Sequence, residues 1–389
     1  MSYTGTMSMA WTGEVEVGPG IEVETWRLTT PGRAGCFLLE SEAGEPVLLA
    51  TMANVRGALV HRLGPGTEED APRKVDYRAI VRRVRWRDVF SRFEGSWVYL
   101  ETARRVFPQT YRKLIKRWRC GWLGIDLSQD HPQWQVADRP HGPRATCFGP
   151  IAELAAGRRY VQMLEDLFDL CRYHHVLVQA PHAAACAYKE MGKCPAPCDG
   201  TVTMDRYRAL LEASLDFVRG GVEPWRKQTQ ANMQAAAKEL NFEKANRYKA
   251  ALKRSEEANA PTLWQMHPLD DFRWVTIQPG SRKGRARAWL IRGGAIEPFD
   301  EIEVKTRTEQ CAQLAERAGA LRDQPLGEID TAGAERMGLI AWHLYHDTRG
   351  PGQWLHADDV TDGRVIEDAI EAMTSHKKRS YITDVSSEG

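Results

Sequence analysis

A chain of 389 residues exceeds one ordinary domain at about 150 residues each, so two or three are expected. Apolar residues make up 42% and charged residues 27%, which excludes global disorder. The 53 Lys and Arg against 52 Asp and Glu leave a net charge of +1, so attraction to a polyanion requires local asymmetry. In chain order, Met1–Gly20 has no basic start and no apolar h-region, so no secretory signal is expected. Two apolar runs, Cys36–Leu39 and Val47–Ala50, flank a Ser-Glu-Ala-Gly-Glu-Pro turn and predict a β-hairpin. Asn54–Leu63 follows as a helix with Val55, Leu59 and Leu63 on one face. A polar loop, Gly64–Asp70, leads to an Arg-rich strand or helix and then a helix near Gly95–Val106. Ile151–Tyr173 shows helical spacing of Leu154, Val161, Leu164, Leu167, Phe168 and Cys171. Met204–Arg219 is a helix stopped by Gly220-Gly221. Pro224–Leu240 and Phe242–Ala258 predict an αα-hairpin around Asn241. Strands are expected at Trp274–Ile277, Ala288–Ile291 and Glu301–Val304, then helices near Thr308–Leu321 and Ala332–Tyr345. The fold class is α/β. Its regions are residues 1–130, a cysteine-rich module at 131–202, a helical hairpin at 203–260 and an α+β region at 261–389.

The charge is unevenly spread. Ala71–Cys120 carries 15 Lys or Arg against 4 Asp or Glu, an excess of +11, whereas Glu301–Gly389 carries 10 against 17, or −7. Arg82, Arg83, Arg85, Arg87, Arg104 and Arg105 are candidate phosphate contacts, with Trp86, Phe90 and Phe93 interleaved. No apolar run reaches the ~20 residues that span a bilayer, so a cytoplasmic protein with no membrane partner is expected. In that compartment clustered thiols more often bind metal than form disulfides. Cys171, Cys186, Cys194 and Cys198 lie within 28 residues. Thiolates are soft ligands, and four suit either an iron–sulfur cluster or a structural zinc. Spacing alone leaves both open, because only Cys194 and Cys198 form a close pair.

At these residues a family becomes visible. Gly192-Lys-Cys-Pro-Ala-Pro-Cys-Asp-Gly200 resembles the cysteine signature of UvrC, the nuclease subunit of bacterial nucleotide excision repair. Phe148-Gly149-Pro150 is similar to the family's Phe-Gly-Pro ahead of a long helix. Ala236–Tyr248 resembles the UVR motif through which UvrC contacts UvrB. The resemblance implies a [4Fe–4S] cluster on the four cysteines, with zinc as the alternative. It also implies a UvrB-like helicase partner docking on Leu240, Phe242, Ala245 and Tyr248. Met233, Ala237 and Leu252 extend that expected apolar seam. Residues 1–130 look like a degenerate GIY-YIG nuclease domain. Asn54-Val55-Arg56 and Leu100-Glu101 match its motifs, which implies Mg²⁺ or Mn²⁺ on Glu101 and phosphate stabilisation by Arg56 if that half is active. Phe37 and Leu49 stand at the two motif tyrosines, and Thr51 at a motif glycine. The expected function is a DNA-binding repair protein with an impaired or inactive nuclease half. The alternatives are an active metal-dependent single-incision endonuclease and a cluster-based redox sensor. The ribonuclease H-like and helix-hairpin-helix regions of UvrC do not appear in the sequence.

Overall fold

Strand β1 (Gly13–Glu16) and helix α1 (Val23–Thr29) precede a long hairpin, β2 (Gly35–Ser41) and β3 (Pro46–Met52). The hairpin forms because two apolar runs flank a polar turn, as expected. The computed structural model describes residues 10–64, 75–327, 329–346, 351–375 and 385–386. Asn54 caps helix α2 (Val55–Leu63) by accepting from the Gly57 N–H at 3.0 Å. The polar loop expected at Gly64–Asp70 lies, beyond Gly64, outside the described residues, as do Arg73 and Lys74 of the basic block. A single turn, α3 (Tyr77–Ile80), leads into the Arg-rich segment, which is a strand, β4 (Val81–Asp88). Helix α4 (Arg92–Val106) follows with Ser91 as its cap, and then the short α5 (Tyr111–Leu114).

The next segment holds β5 (Gly121–Ile125), β6 (Gln135–Ala137), β7 (Thr146–Ile151) and helix α6 (Leu154–Leu167). The helix expected over Ile151–Tyr173 is therefore shorter at both ends. Ile151 pairs in a strand, and Asp169 adopts a left-handed φ of 53° that ends the helix. Leu170, Phe168 and Cys171 still reach the core from a loop, which mimicked continued helical spacing. Short turns α7 (His174–Leu177) and α8 (Ala187–Glu190) carry the cysteine loop. Three helices follow: α9 (Met204–Gly220), α10 (Val222–Lys238) and α11 (Phe242–Arg254). Strand β8 (His267–Pro268) returns to pair with β7.

The C-terminal part contributes β9 (Arg273–Pro279), β10 (Arg285–Arg292), β11 (Ala295–Pro298), β12 (Ile302–Glu303) and α12 (Thr308–Asp323). Helices α13 (Thr331–His346) and α14 (Gly363–Ser375), with strands β13 (Gln353–His356) and β14 (Val385–Ser386), complete the order. Of these, β11, β13 and α14 carried no clear sequence signal.

The chain folds into two compact units, each built from separate segments. One joins residues 1–118, 273–327 and 346–389, and the other joins 119–272 and 328–345. The first unit holds two antiparallel sheets, ordered β1-β4-β2-β3-β14 and β11-β10-β9-β13. One face of its first sheet buries Phe37, Leu39, Leu48, Ala50, Val84 and Trp86 beneath α1 and α2. In the second unit, α6 and α9 close over the sheet β6-β5-β7-β8. Tyr160, Met163, Leu164, Tyr207 and Leu211 fill that core, each buried side chain stabilising by roughly 1.5–3 kcal/mol. Among the described residues no helix is long and apolar enough to cross a membrane.

Candidate metal centre

The four cysteines arrive from three pieces of irregular chain. Cys171 follows the left-handed turn after α6, where its N–H donates to the Tyr207 hydroxyl at 3.1 Å. Cys186 precedes α8. Cys194 and Cys198 sit in a tight turn whose backbone is left-handed at Gly192 (φ 65°), Ala196 (φ 56°) and Gly200 (φ 78°). Glycine bears such angles without the Cβ penalty, which is why two glycines bracket the pair. Cys194 and Cys198 are buried, whereas Cys171 and Cys186 are half-buried.

The thiols act on one another. A thiol–thiol hydrogen bond to Cys194 pushes Cys171 up, and the same bond draws Cys194 down toward the thiolate. Burial pushes Cys198 up, with the negative potential of Cys194, Asp199 and Cys186 adding to it. All four sulfurs thus lie in one electrostatic neighbourhood. The donor chemistry fits a soft-metal or iron–sulfur group, since thiolates prefer such acceptors. The arrangement is open: among the described residues no three His, Cys, Asp or Glu side chains stand at metal-holding spacing.

Polar side chains brace the loop. Lys189 Nζ donates to Asp199 Oδ2 at 2.6 Å and to Thr201 Oγ1 at 2.7 Å. These contacts hold the Asp199 carboxyl low, at about 2. Arg172 Nη1 donates to the Lys193 carbonyl at 3.0 Å, and its guanidinium lies 4.4 Å over the Tyr188 ring. Sequence reasoning missed Lys189, Asp199 and Arg172. Their proximity to the cysteines was the available signal, but salt-bridge partners ten or more residues apart leave no periodic trace.

Helices α10 and α11 form the expected hairpin. Asn241 accepts from the Lys244 N–H at 3.1 Å and caps α11. The inner residue of the seam is Ala236 rather than Ala237, which is exposed. Met233, Ala245, Tyr248 and Leu252 are half-buried. Leu240 and Phe242, at the tip, are 72% and 67% exposed. Two large apolar side chains presented to solvent at one turn form an unpartnered surface.

In the first unit, Arg56 Nε donates to the Thr30 carbonyl at 2.9 Å, and Glu101 on α4 accepts from Arg104 Nη1 at 3.2 Å. Strand register pairs Phe37 with Ala50 and Leu38 with Leu49. Phe37 and Leu49 therefore point to opposite faces of the sheet, and both are fully buried. Two Arg residues of β4 are matched by carboxylates. Arg85 lies 3.2 Å from Glu14 and 3.3 Å from Glu40, with Arg83 3.9 Å from Glu40. Register explains this, since Glu14 and Glu40 stand on the strands either side of β4. Arg82 donates to the carbonyls of Ala79 and Val81. The positive charge of Arg87 is weakened by burial, against the favourable field of Glu94. Arg105, Arg112, Lys113 and Lys116 remain exposed.

Residues 121–217 match the family model of the UvrC/Cho excinuclease middle domain, which spans β5 to α9 and includes all four cysteines. The chain is 26% identical over 239 residues to UvrABC system protein C of Syntrophotalea carbinolica, covering 58% of this chain and 37% of that protein. It is 31% identical over 205 residues to the same-named protein of Saccharopolyspora erythraea, covering 50% and 28%. Against that of Mycobacterium marinum it is 30% identical over 183 residues, covering 45% and 27%. The aligned region is thus less than two fifths of each of these relatives. No solved structure matches the chain. The chain therefore carries a UvrC-like middle region with the cysteine loop inside it.

Proposed function

We propose that the chain is a nucleotide excision repair protein that binds DNA and a UvrB-like partner, with an impaired GIY-YIG-type nuclease half. The observation that supports this is the UvrC-like match at 121–217, which includes Cys171, Cys186, Cys194 and Cys198. Those cysteines would hold a [4Fe–4S] cluster, or a zinc in the alternative, and either would brace a loop that has few apolar contacts of its own. The protein's own residues support that role: Lys189 ties Asp199 to Thr201, and Arg172 ties the loop to α6. The hairpin tip, Leu240 and Phe242, offers the partner an apolar contact, with Ala245 and Tyr248 behind it.

DNA contact would fall on the basic block, where Arg105, Lys113 and Lys116 are exposed, beside the candidates Arg82, Arg83, Arg85, Arg87 and Arg104. The impaired-nuclease reading rests on Phe37 and Leu49 carrying no hydroxyl, although the register sets the two on opposite faces, so at most one of them faces a given site. Loss of a positioned acid–base group costs on the order of 10²–10⁴ in rate. Glu101 and Arg56 retain the residue types to hold Mg²⁺ or Mn²⁺ and a phosphate, respectively.

Fluorescence anisotropy with duplex DNA across a salt series tests the reading. Affinity falls steeply with salt, and Lys113→Gln with Lys116→Gln flattens the log–log slope by roughly two. Undetectable binding at low salt rejects the DNA assignment. Metal-dependent nicking of damaged duplex that Glu101→Gln abolishes rejects the impaired nuclease.

A further inference from the structure

One carboxylate lies where the long helix, the cysteine loop and the hairpin meet. Asp166 sits in the last turn of α6. Its Oδ1 accepts from Arg172 Nη2 at 2.6 Å, and its Oδ2 accepts from Arg254 Nε at 2.8 Å. Arg172 directly follows Cys171 and also bonds the Lys193 carbonyl, next to Cys194. Arg254 is the last residue of α11. From there Arg226 Nη1 on α10 donates to the Leu252 carbonyl at 3.0 Å and to Ser255 Oγ at 2.7 Å, so the two hairpin helices are clamped at the same end. A second strut runs alongside, where Arg159 on α6 donates to Glu257 Oε1 at 3.1 Å. Both oxygens of Asp166 are thus spent on arginines from different pieces of chain, one charge-assisted bond to each.

We propose that Asp166 is a positioning residue that couples the cysteine loop to the helical hairpin, so that order in the thiol loop sets the rigidity of α10 and α11. This deepens the repair reading and regulates the same docking surface. The fully buried residues of the hairpin helices are Thr229 and Ala236, and Trp225 of α10 packs against Phe168 and Phe217. Beside that apolar contact, the bonds at the common carboxylate tie the residue after Cys171 directly to the end of α11. Burial works against the charge of Asp166, and the bonds from Arg172 and Arg254 hold its carboxyl below the ordinary range.

Amide hydrogen exchange on the full chain tests this without partner or DNA. Asp166→Asn raises exchange in both α11 and residues 192–200, by roughly tenfold for loss of charge-assisted bonds. The distinguishing result is remote: Arg254→Gln, in the hairpin, raises exchange in the cysteine loop. Adding it to Asp166→Asn changes the loop no further, because the path is already cut. Asp166→Glu, which keeps the charge, restores part of the protection, and thermal unfolding confirms that each variant folds. If Arg254→Gln leaves the loop at the wild-type rate, or its effect persists in full on the Asp166→Asn background, the coupling is rejected. Absorption spectra and elemental analysis for iron and zinc on the same samples report the metal separately, so failure of the cluster reading is distinguishable from failure of the coupling.

Discussion

Glu165, one residue before the coupling carboxylate, shows how a single side chain encodes its surroundings. Burial pushes its carboxyl up to about 7, with Arg172 opposing and Asp166 adding to the rise. The folded value exceeds the unfolded one of 4.5. Its contribution to stability is thus fully present below the unfolded value and is lost as pH climbs through the folded value. Thermal midpoints of the wild type should fall, relative to Glu165→Gln, as pH rises from about 4.5 to about 7. Parallel curves for the two proteins would show that Glu165 titrates as an ordinary surface acid. At this scale the cysteines were legible, because four soft donors in a short segment carry their own chemistry. Asp166 was not: its two partners lie 6 and 88 residues away, and only the fold brings them together. The same limit applies to β4, where the run of arginines read as a free basic patch. Glu14 and Glu40, on neighbouring strands, pair with Arg85, and Glu40 also with Arg83.

At the scale of elements, the hairpin of α10 and α11 holds a residue under strain. Leu240 has a left-handed φ of 57°, a conformation costing a non-glycine residue roughly 1–2 kcal/mol. Leu240→Gly should therefore stabilise the protein by about 1 kcal/mol in thermal or denaturant unfolding. Phe242→Ala, at a solvent-exposed site, should change stability by less than about 0.5 kcal/mol. Both substitutions should weaken capture of a UvrB-like partner. Unchanged capture by both variants would place the docking surface elsewhere. A leucine kept in a strained, exposed position fits a contact residue better than a folding one. The hairpin was readable in the sequence because its apolar spacing and the Asn241 cap agree. The long helix before Cys171 was overread, because loop residues that dip into the core copied helical spacing. The edge strands β11 and β13 are short, and their pairing to β10 and β9 depends on distant chain.

Across the whole molecule, the basic block up to residue 118 and the acidic stretches 301–327 and 346–389 fall in one unit, whereas the thiols and the hairpin fall in the other. The UvrC-like match coincides with the second unit's sheet, α6, the cysteine loop and α9. The cysteine loop is the element on which the metal, partner and coupling readings converge. Its decisive test is the visible absorption spectrum of anaerobically purified full-length protein, with iron and acid-labile sulfide counted on the same sample. The expected result is a broad sulfide-to-iron band with about four irons and about four sulfides per chain, lost in Cys198→Ser. A colourless protein without iron, whether holding zinc or no metal at all, would contradict it.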